Sequence, residues 1–335
     1  MYSKINPTNH KENKAAPHIP VLLGHVIDTF DRIFMPTHKL YIQKNLYTNA
    51  TKVLIDCTLG FGGMSSALLR RYDDLHIIGI DRDIQALEYN QEAMKEFGER
   101  FQMRHGDFGT MLPKVISEVE QDGMQLCGIL ADIGVSSYQL DNHERGFSFH
   151  SGELDMRMDT TQTLSADTII NTYSKYELEQ IFKDYGEIRE HKKLTQLILQ
   201  ERKNKKLKSE HLQNIALQIH TKGKIHPATL IYQALRIAVN DELGQLQSLL
   251  SACKNLHNVL LCIISFHSLE DRIVKDSMKQ WAKSCICDEV SFKCTCGNNH
   301  AKGFSLYKKP LIADSNELAS NKRARSAKLR SFYFT

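Results

Sequence analysis

The sequence predicts an α/β fold: a doubly wound, mostly parallel sheet with helices on both faces and an inserted helical segment. Three observations lead there. Residues 53–133 alternate short apolar runs with helical patterns, as the repeated βα units of a parallel sheet do. Residues 135–224 then show helical periodicity and no convincing strand. An apolar run at 259–266 restores strand character.

The elements follow in order. Residues 53–57 form a strand carrying Asp56, a glycine turn follows at 60–63, and a helix starts at 65–71. Strands at 76–81, 101–105 and 128–132 are separated by helices at 84–97 and 111–119. The insertion holds helical stretches at 165–171, 175–185, 190–200 and 210–220. After His226-Pro227, Ile231, Leu235, Val239, Leu243, Leu246 and Leu250 step by three or four, predicting one long helix with one buried face. Residues 304–311 and 328–334 bring the strand count to seven, with a helix at 315–321 between them. The expected organisation is a polar tail at 1–17, a sheet domain from 18–140 and 225–335, and a helical insertion at 141–224.

Composition narrows the function classes. At 335 residues, 41% hydrophobic and 24% charged, the chain reads as an ordinary globular protein of one large or two moderate domains. No apolar run approaches the roughly 18 residues of a membrane span, so no membrane partner is expected. Segment 1–17 is polar, contains Glu12 and lacks arginine, which argues against signal and transit peptides and leaves the cytoplasm as the expected location. The net charge of +4 is mild, but residues 321–335 hold Lys322, Arg323, Arg325, Lys328 and Arg330 and no acid. Such a run suits phosphates. A second basic run at 202–208 is as well explained by a solvated face. Eight cysteines in a cytoplasmic chain argue for thiols over disulfides. Cys285, Cys287, Cys294 and Cys296 cluster, and two readings stand for them: zinc, despite a C-x-C spacing tighter than the usual C-x₂₋₄-C, or a loop of reduced thiols.

The glycine turn is the chemical centre of the sequence. Gly60 and Gly62 fit the dinucleotide pattern G-x-G-x-x-G, but Ser65 stands at its third glycine position. Asp56 at the strand end suits an ammonium, which points to S-adenosylmethionine (AdoMet) ahead of a nicotinamide dinucleotide, with a ligand-free turn as the remaining reading. Asp81 lies 25 residues after Asp56, a separation that suits a ribose diol. Asp56, Asp81, Asp107 and Asp132 end or follow successive strands, and ligands of doubly wound sheets bind at those carboxyl ends.

Downstream motifs make the chain recognisable. Gly134-Val-Ser-Ser137, Gln139-Leu-Asp141, Glu144-Arg-Gly-Phe-Ser-Phe149, Leu154-Asp-Met-Arg-Met-Asp159, Tyr185-Gly-Glu187, His226-Pro-Ala-Thr229, Gln233-Ala-Leu-Arg-Ile237, Ser265-Phe-His-Ser-Leu-Glu-Asp-Arg272 and Arg325-Ser-Ala-Lys-Leu-Arg330 accompany the glycine turn. With these segments, spanning residues 18–331, the chain resembles the MraW-type family of bacterial small-subunit ribosomal RNA cytidine-N4 methyltransferases. The resemblance implies a class I AdoMet-dependent methyltransferase fold. It also implies cofactor contacts at Gly62, Gly63, Met64, Asp81, Phe108, Asp132 and Gln139, beside Asp56 and Gly60 of the turn. It implies 16S ribosomal RNA within the small ribosomal subunit as partner, and a cytidine of the decoding region as target. Departures from the family pattern include Met64 for a histidine, Tyr138 and Glu153 for prolines, and Leu230-Ile231 for Arg-Thr.

Transfer to an exocyclic amine needs alignment for in-line attack and an acceptor near the N–H groups, and it needs no metal. Asp132 is the leading acceptor, with a purely cofactor-holding role as its alternative; Asp141, Ser136 and Ser137 are weaker candidates. His267 is placed either against the target base or as a structural histidine. Arg157, Arg236, Arg272 and the Lys322–Arg330 tail are candidates for RNA phosphates. Two other classes stay open: a non-catalytic RNA-binding ribosome assembly factor and a nicotinamide-dependent oxidoreductase. A homodimer is as compatible with the sequence as a monomer.

Overall fold

The computed structural model describes residues 19–39, 41–42, 50–148, 151–221, 225–288 and 293–335. The expected tail at 1–17 lies outside them. The chain builds α1 (Leu23–Phe34), β1 (Lys52–Asp56), α2 (Gly63–Arg71), β2 (Leu75–Asp81), α3 (Ile84–Ala93), β3 (Phe101–His105), α4 (Phe108–Gln121) and β4 (Gln125–Asp132). A helical series follows: α5 (Ser137–Asp141), α6 (Ala166–Thr172), α7 (Lys175–Gln180), α8 (His191–Arg202), α9 (Ser209–Ala216), α10 (Pro227–Asn240) and α11 (Glu242–Cys253). β5 (Val259–Ser265), α12 (Ser268–Trp281), β6 (Gly303–Ser305), α13 (Ser315–Ser320) and β7 (Lys328–Phe334) complete it.

The seven strands pair in the order β3-β2-β1-β4-β5-β7-β6. β1 to β5 are mutually parallel, while β7 runs antiparallel to both β5 and β6. β5 is buried along its whole length, as its uninterrupted apolar run requires of a strand covered on both faces. One face packs α1 and α2 through Val26, Phe30, Leu68 and Leu69. The other packs α4, α11 and α12 through Leu112, Val115, Leu246 and Val274.

Three expectations need correction. The long helix expected from 231 to 250 is two helices, because Asp241 takes left-handed φ/ψ of 47° and 40°. Asn240 accounts for the site of the break. Its buried side-chain amide accepts the Met158 N–H at 2.8 Å and donates to the Met156 carbonyl at 2.7 Å, clamping the 154–159 segment to the end of α10. The strand expected at 304–311 is only Gly303–Ser305, plus one bridge between Leu311 and Leu329. The helical layer also reaches past residue 224: Ala228, Ile231, Leu235 and Val239 of α10 share one core with Phe147, Ile169, Phe182, Leu194 and Leu212. Among the described residues no helix is long and apolar enough to cross a membrane.

Candidate active site

The strand order reverses between β1 and β4, so the carboxyl ends of these neighbours splay their connections apart. A crevice of about 480 Å³ opens there. It is lined by Gly60, Phe61, Gly63 and Met64 of the glycine turn, Asp81 and Asp83 after β2, Phe108 of α4, Asp132 of β4, and Ser136 to Gln139.

Positive φ angles at Gly60 (51°) and Gly62 (73°) shape the turn. A Cβ on Gly62 would come within 2.3 Å of Asn90 Oδ1, so this glycine admits the α3 side chain that clamps the turn from behind. Gly62 itself is not among the residues lining the crevice, while its neighbours Phe61 and Gly63 are. Asp56 is 1% exposed, accepts from Ser65 Oγ at 2.7 Å and from the Thr58 N–H at 3.2 Å, and likewise does not line the crevice. Burial raises its carboxyl to about 6, against the pull of those two hydrogen bonds. It ties the turn to α2. Gly63 and Met64 begin α2 at the crevice wall, with the Met64 side chain largely in the core.

Asp81 faces the crevice and organises the turn: Oδ2 accepts the Gly60 N–H at 2.7 Å and Oδ1 the Asp83 N–H at 2.8 Å. Burial raises its pKa. Each oxygen keeps a lone pair for a ligand hydroxyl. Phe108 opens α4 directly after the capping Asp107, whose Oδ1 accepts the Thr110 N–H, leaving the ring on the crevice. Asp132 differs from the other acids. Its backbone N–H donates to Thr58 Oγ1 at 2.6 Å, but its buried Oδ1 has no partner among the described residues. Burial, reinforced by Asp56 and Glu270, raises its carboxyl to about 8.

Gln139 lines the crevice with both amide ends already engaged: Oε1 accepts the Ser136 N–H at 3.0 Å and Nε2 donates to Asp83 Oδ2 at 2.8 Å. It therefore positions the α5 wall. Sequence reasoning missed the hub behind it. Arg145, 6% exposed, donates to Asp83 Oδ2 at 2.9 Å, to Gln85 Oε1 at 2.8 Å, and to the Arg157 and Met158 carbonyls at 3.0 Å. The signal for it was its place in the Glu144–Phe149 motif. Also missed was an aromatic wall. Phe61 packs on Tyr138 at 4.9 Å between centroids and on Tyr89 at 5.0 Å, and Phe61 and Tyr138 both border the crevice.

Beneath Asp132 lies a buried charged group. Arg236 pairs bidentately with Glu242 at 2.7 and 2.8 Å, a contact that the chain break at Asp241 makes possible. His267 caps α12 and sets Nε2 3.0 Å from Glu270 Oε1, while Glu270 Oε2 accepts the Phe266 N–H at 2.8 Å. Burial pushes Glu270 up, but His267, Arg236 and that N–H outweigh it and hold the carboxyl below its ordinary value. His267 is not among the crevice-lining residues, and its ring sits against Glu270.

The candidate RNA cations divide into two groups. Lys322, Arg323 and Arg325 are exposed and border the crevice mouth, Arg323 alongside Asp141. The others are committed elsewhere. Arg157 spends its guanidinium on Asp155 and on the Thr160 and Gln162 carbonyls. Arg236 is held by Glu242, and Lys328 and Arg330 by Asp271 at 3.0 and 2.7 Å. Arg272 forms a surface pair with Glu187 at 2.9 Å, the weak kind that a phosphate can displace.

A seven-stranded sheet with an antiparallel strand set between β5 and β6, and a glycine turn at the switch point, defines a class I methyltransferase. The chain belongs to the MraW methylase family, which it matches over residues 15–335. It is 47% identical over 321 residues to the Ribosomal RNA small subunit methyltransferase H of Wolinella succinogenes, covering 95% of this chain and 99% of that one. The protein of the same name from Helicobacter pylori strain P12 is 49% identical over 283 residues, 84% and 91% of the two chains. That of Sulfurovum sp. is 45% identical over 322 residues, 95% and 98%.

Proposed function

We propose that this protein transfers a methyl group from AdoMet to the exocyclic N4 amine of a cytidine in the decoding region of 16S ribosomal RNA, within the small ribosomal subunit. The observation that carries the reading is Asp132: a carboxylate with a buried, unpartnered oxygen in a switch-point crevice that has an aromatic wall and a cationic mouth. The activity for which the relatives are named supports small-subunit ribosomal RNA as the substrate.

The residues present fit AdoMet. The α2 N-terminus at Gly63 offers backbone N–H groups to a carboxylate, Asp81 offers acceptors to ribose hydroxyls, and Phe108 offers a face to adenine. Bound there, AdoMet supplies a methyl on a positively charged sulfur, an electrophile strong enough for an amide-like nitrogen.

The protein's part is alignment and proton handling. The N4 lone pair of cytosine is delocalised into the ring. A carboxylate accepting from the N4–H group localises it, stabilises the charge that develops as nitrogen attacks, and provides a destination for the proton. Asp132 is that acceptor, and its burial, reinforced by Asp56 and Glu270, keeps it basic. Phe61 and Tyr138 stack on the unstacked base, and Lys322, Arg323 and Arg325 meet the phosphates on either side of it.

The test is methylation of small subunits from a strain lacking this modification, followed by nucleoside mass spectrometry. N4-methylcytidine is the expected product. Folded protein that binds AdoMet and RNA but leaves no methylated cytidine supports the assembly-factor reading instead.

A further inference from the structure

Cys285, Cys287, Cys294 and Cys296 take no part in the chemistry described above, yet the fold gathers them closely. The four Sγ atoms all lie within 4.8 Å of one another. Three of the separations are 3.6, 3.6 and 3.7 Å: Cys285 to Cys294, Cys294 to Cys296, and Cys296 to Cys285. A disulfide would need about 2.05 Å. A tetrahedron of thiolates around zinc, at Zn–S distances of about 2.3 Å, has edges of roughly 3.8 Å. Three sulfurs thus already form a face of that tetrahedron, and Cys287 stands within reach of the fourth vertex.

The backbone around the cluster suits thiolates. The Ile286 N–H points at Cys296 Sγ at 3.4 Å and the Thr295 N–H at Cys287 Sγ at 3.3 Å, so amide dipoles offset negative charge on two sulfurs. Gly297 (φ 85°) and Asn298 (φ 55°) turn the chain sharply after Cys296. His300 closes the turn through its N–H to the Ser284 carbonyl at 3.0 Å.

We propose that Cys285, Cys287, Cys294 and Cys296 form a structural tetrathiolate zinc site that staples the connection between α12 and β6. All four ligands are protein thiolates, the closed coordination typical of structural zinc and unlike a catalytic site with an open position. Its place in the fold agrees. α12 starts beside the crevice at Ser268 and ends at Trp281, and the Trp281 carbonyl accepts the Lys302 N–H. Gly303 pairs with Phe334, which pairs with Val259 at the amino end of β5. The cluster therefore sits at the end of the sheet away from the crevice, where a metal holds the short edge strand β6 and touches no substrate.

Elemental analysis of full-length protein, purified reduced and without chelator, should find one zinc per chain. Cys287→Ser and Cys294→Ser should each lose at least half of it. Because such variants can unfold, metal-stripped wild-type protein is also titrated with Co(II) under anaerobic reducing conditions. Saturation at one cobalt per chain, with thiolate-to-cobalt charge transfer and the intense visible bands of tetrahedral cobalt, is expected. Zinc bound at full stoichiometry in the quadruple serine variant would overturn the proposal, as would a cobalt spectrum lacking thiolate charge transfer. AdoMet affinity of the zinc-depleted, folded protein should stay within twofold of the loaded protein, and a tenfold loss would contradict the structural role.

Discussion

Asp132 and Asp56 are two strand-end carboxylates with different work, and pH separates them. Both titrate above the ordinary 3.8, Asp56 at about 6 and Asp132 at about 8. A raised carboxyl favours the native state while it is neutral, so this stabilisation is complete below the unfolded value and is lost as pH rises through the folded one. The melting temperature of the ligand-free protein should fall between about pH 4 and pH 8, with Asp132 alone responsible for the part above about pH 6, which Asp132→Asn should flatten. On the proposed function a sulfonium lies beside Asp132 and favours the carboxylate, so AdoMet binding should release a proton. Calorimetry should show affinity rising with pH up to about 8 in the wild type and losing that slope in Asp132→Asn. The acids themselves were legible in the sequence as strand ends. Which of them faces a ligand was not, because that depends on where Ser65 and Thr58 direct their donors once α2 packs down.

At the scale of elements, the crevice walls depend on contacts between segments distant in sequence. Arg145 and Asp83, each 7% exposed at the side chain, join the 3₁₀ turn after α5 to the start of α3 and carry Gln139 with them. Arg145→Met should leave Asp83 without its charge partner and cost about 3–5 kcal/mol in denaturant unfolding. A smaller loss in the double variant Arg145→Met/Asp83→Asn would assign the cost to the stranded charge. The helices and parallel strands were readable because periodicity is local. Arg145, Asn240 and the break at Asp241 were not, since each answers to partners dozens of residues away. The apolar spacing from Ile231 to Leu250 continues through the break, which hid it: both helices bury a face, α10 against the helical layer and α11 against the sheet.

For the whole molecule, on the proposed function, the cationic mouth sets how the crevice meets RNA. A uniform reading of the basic residues treats them as one footprint, but among the described residues only Lys322, Arg323 and Arg325 combine exposure with a place at the crevice. Replacing Lys322 and Arg325 by alanine should weaken RNA binding and reduce the slope of log K against log salt by about 0.7–0.9 per lost phosphate contact. Arg157→Ala should lower stability and leave that slope unchanged, because its guanidinium is consumed by Asp155 and by the Thr160 and Gln162 carbonyls. The measurement that bears most directly on the central claim is single-turnover transfer from methyl-labelled AdoMet to small subunits lacking the modification, with N4-methylcytidine quantified for wild type and Asp132→Asn at matched AdoMet saturation. The account predicts labelled N4-methylcytidine from the wild type and at least a hundredfold slower formation by the variant. Equal rates, or label appearing on another nucleoside, would contradict it.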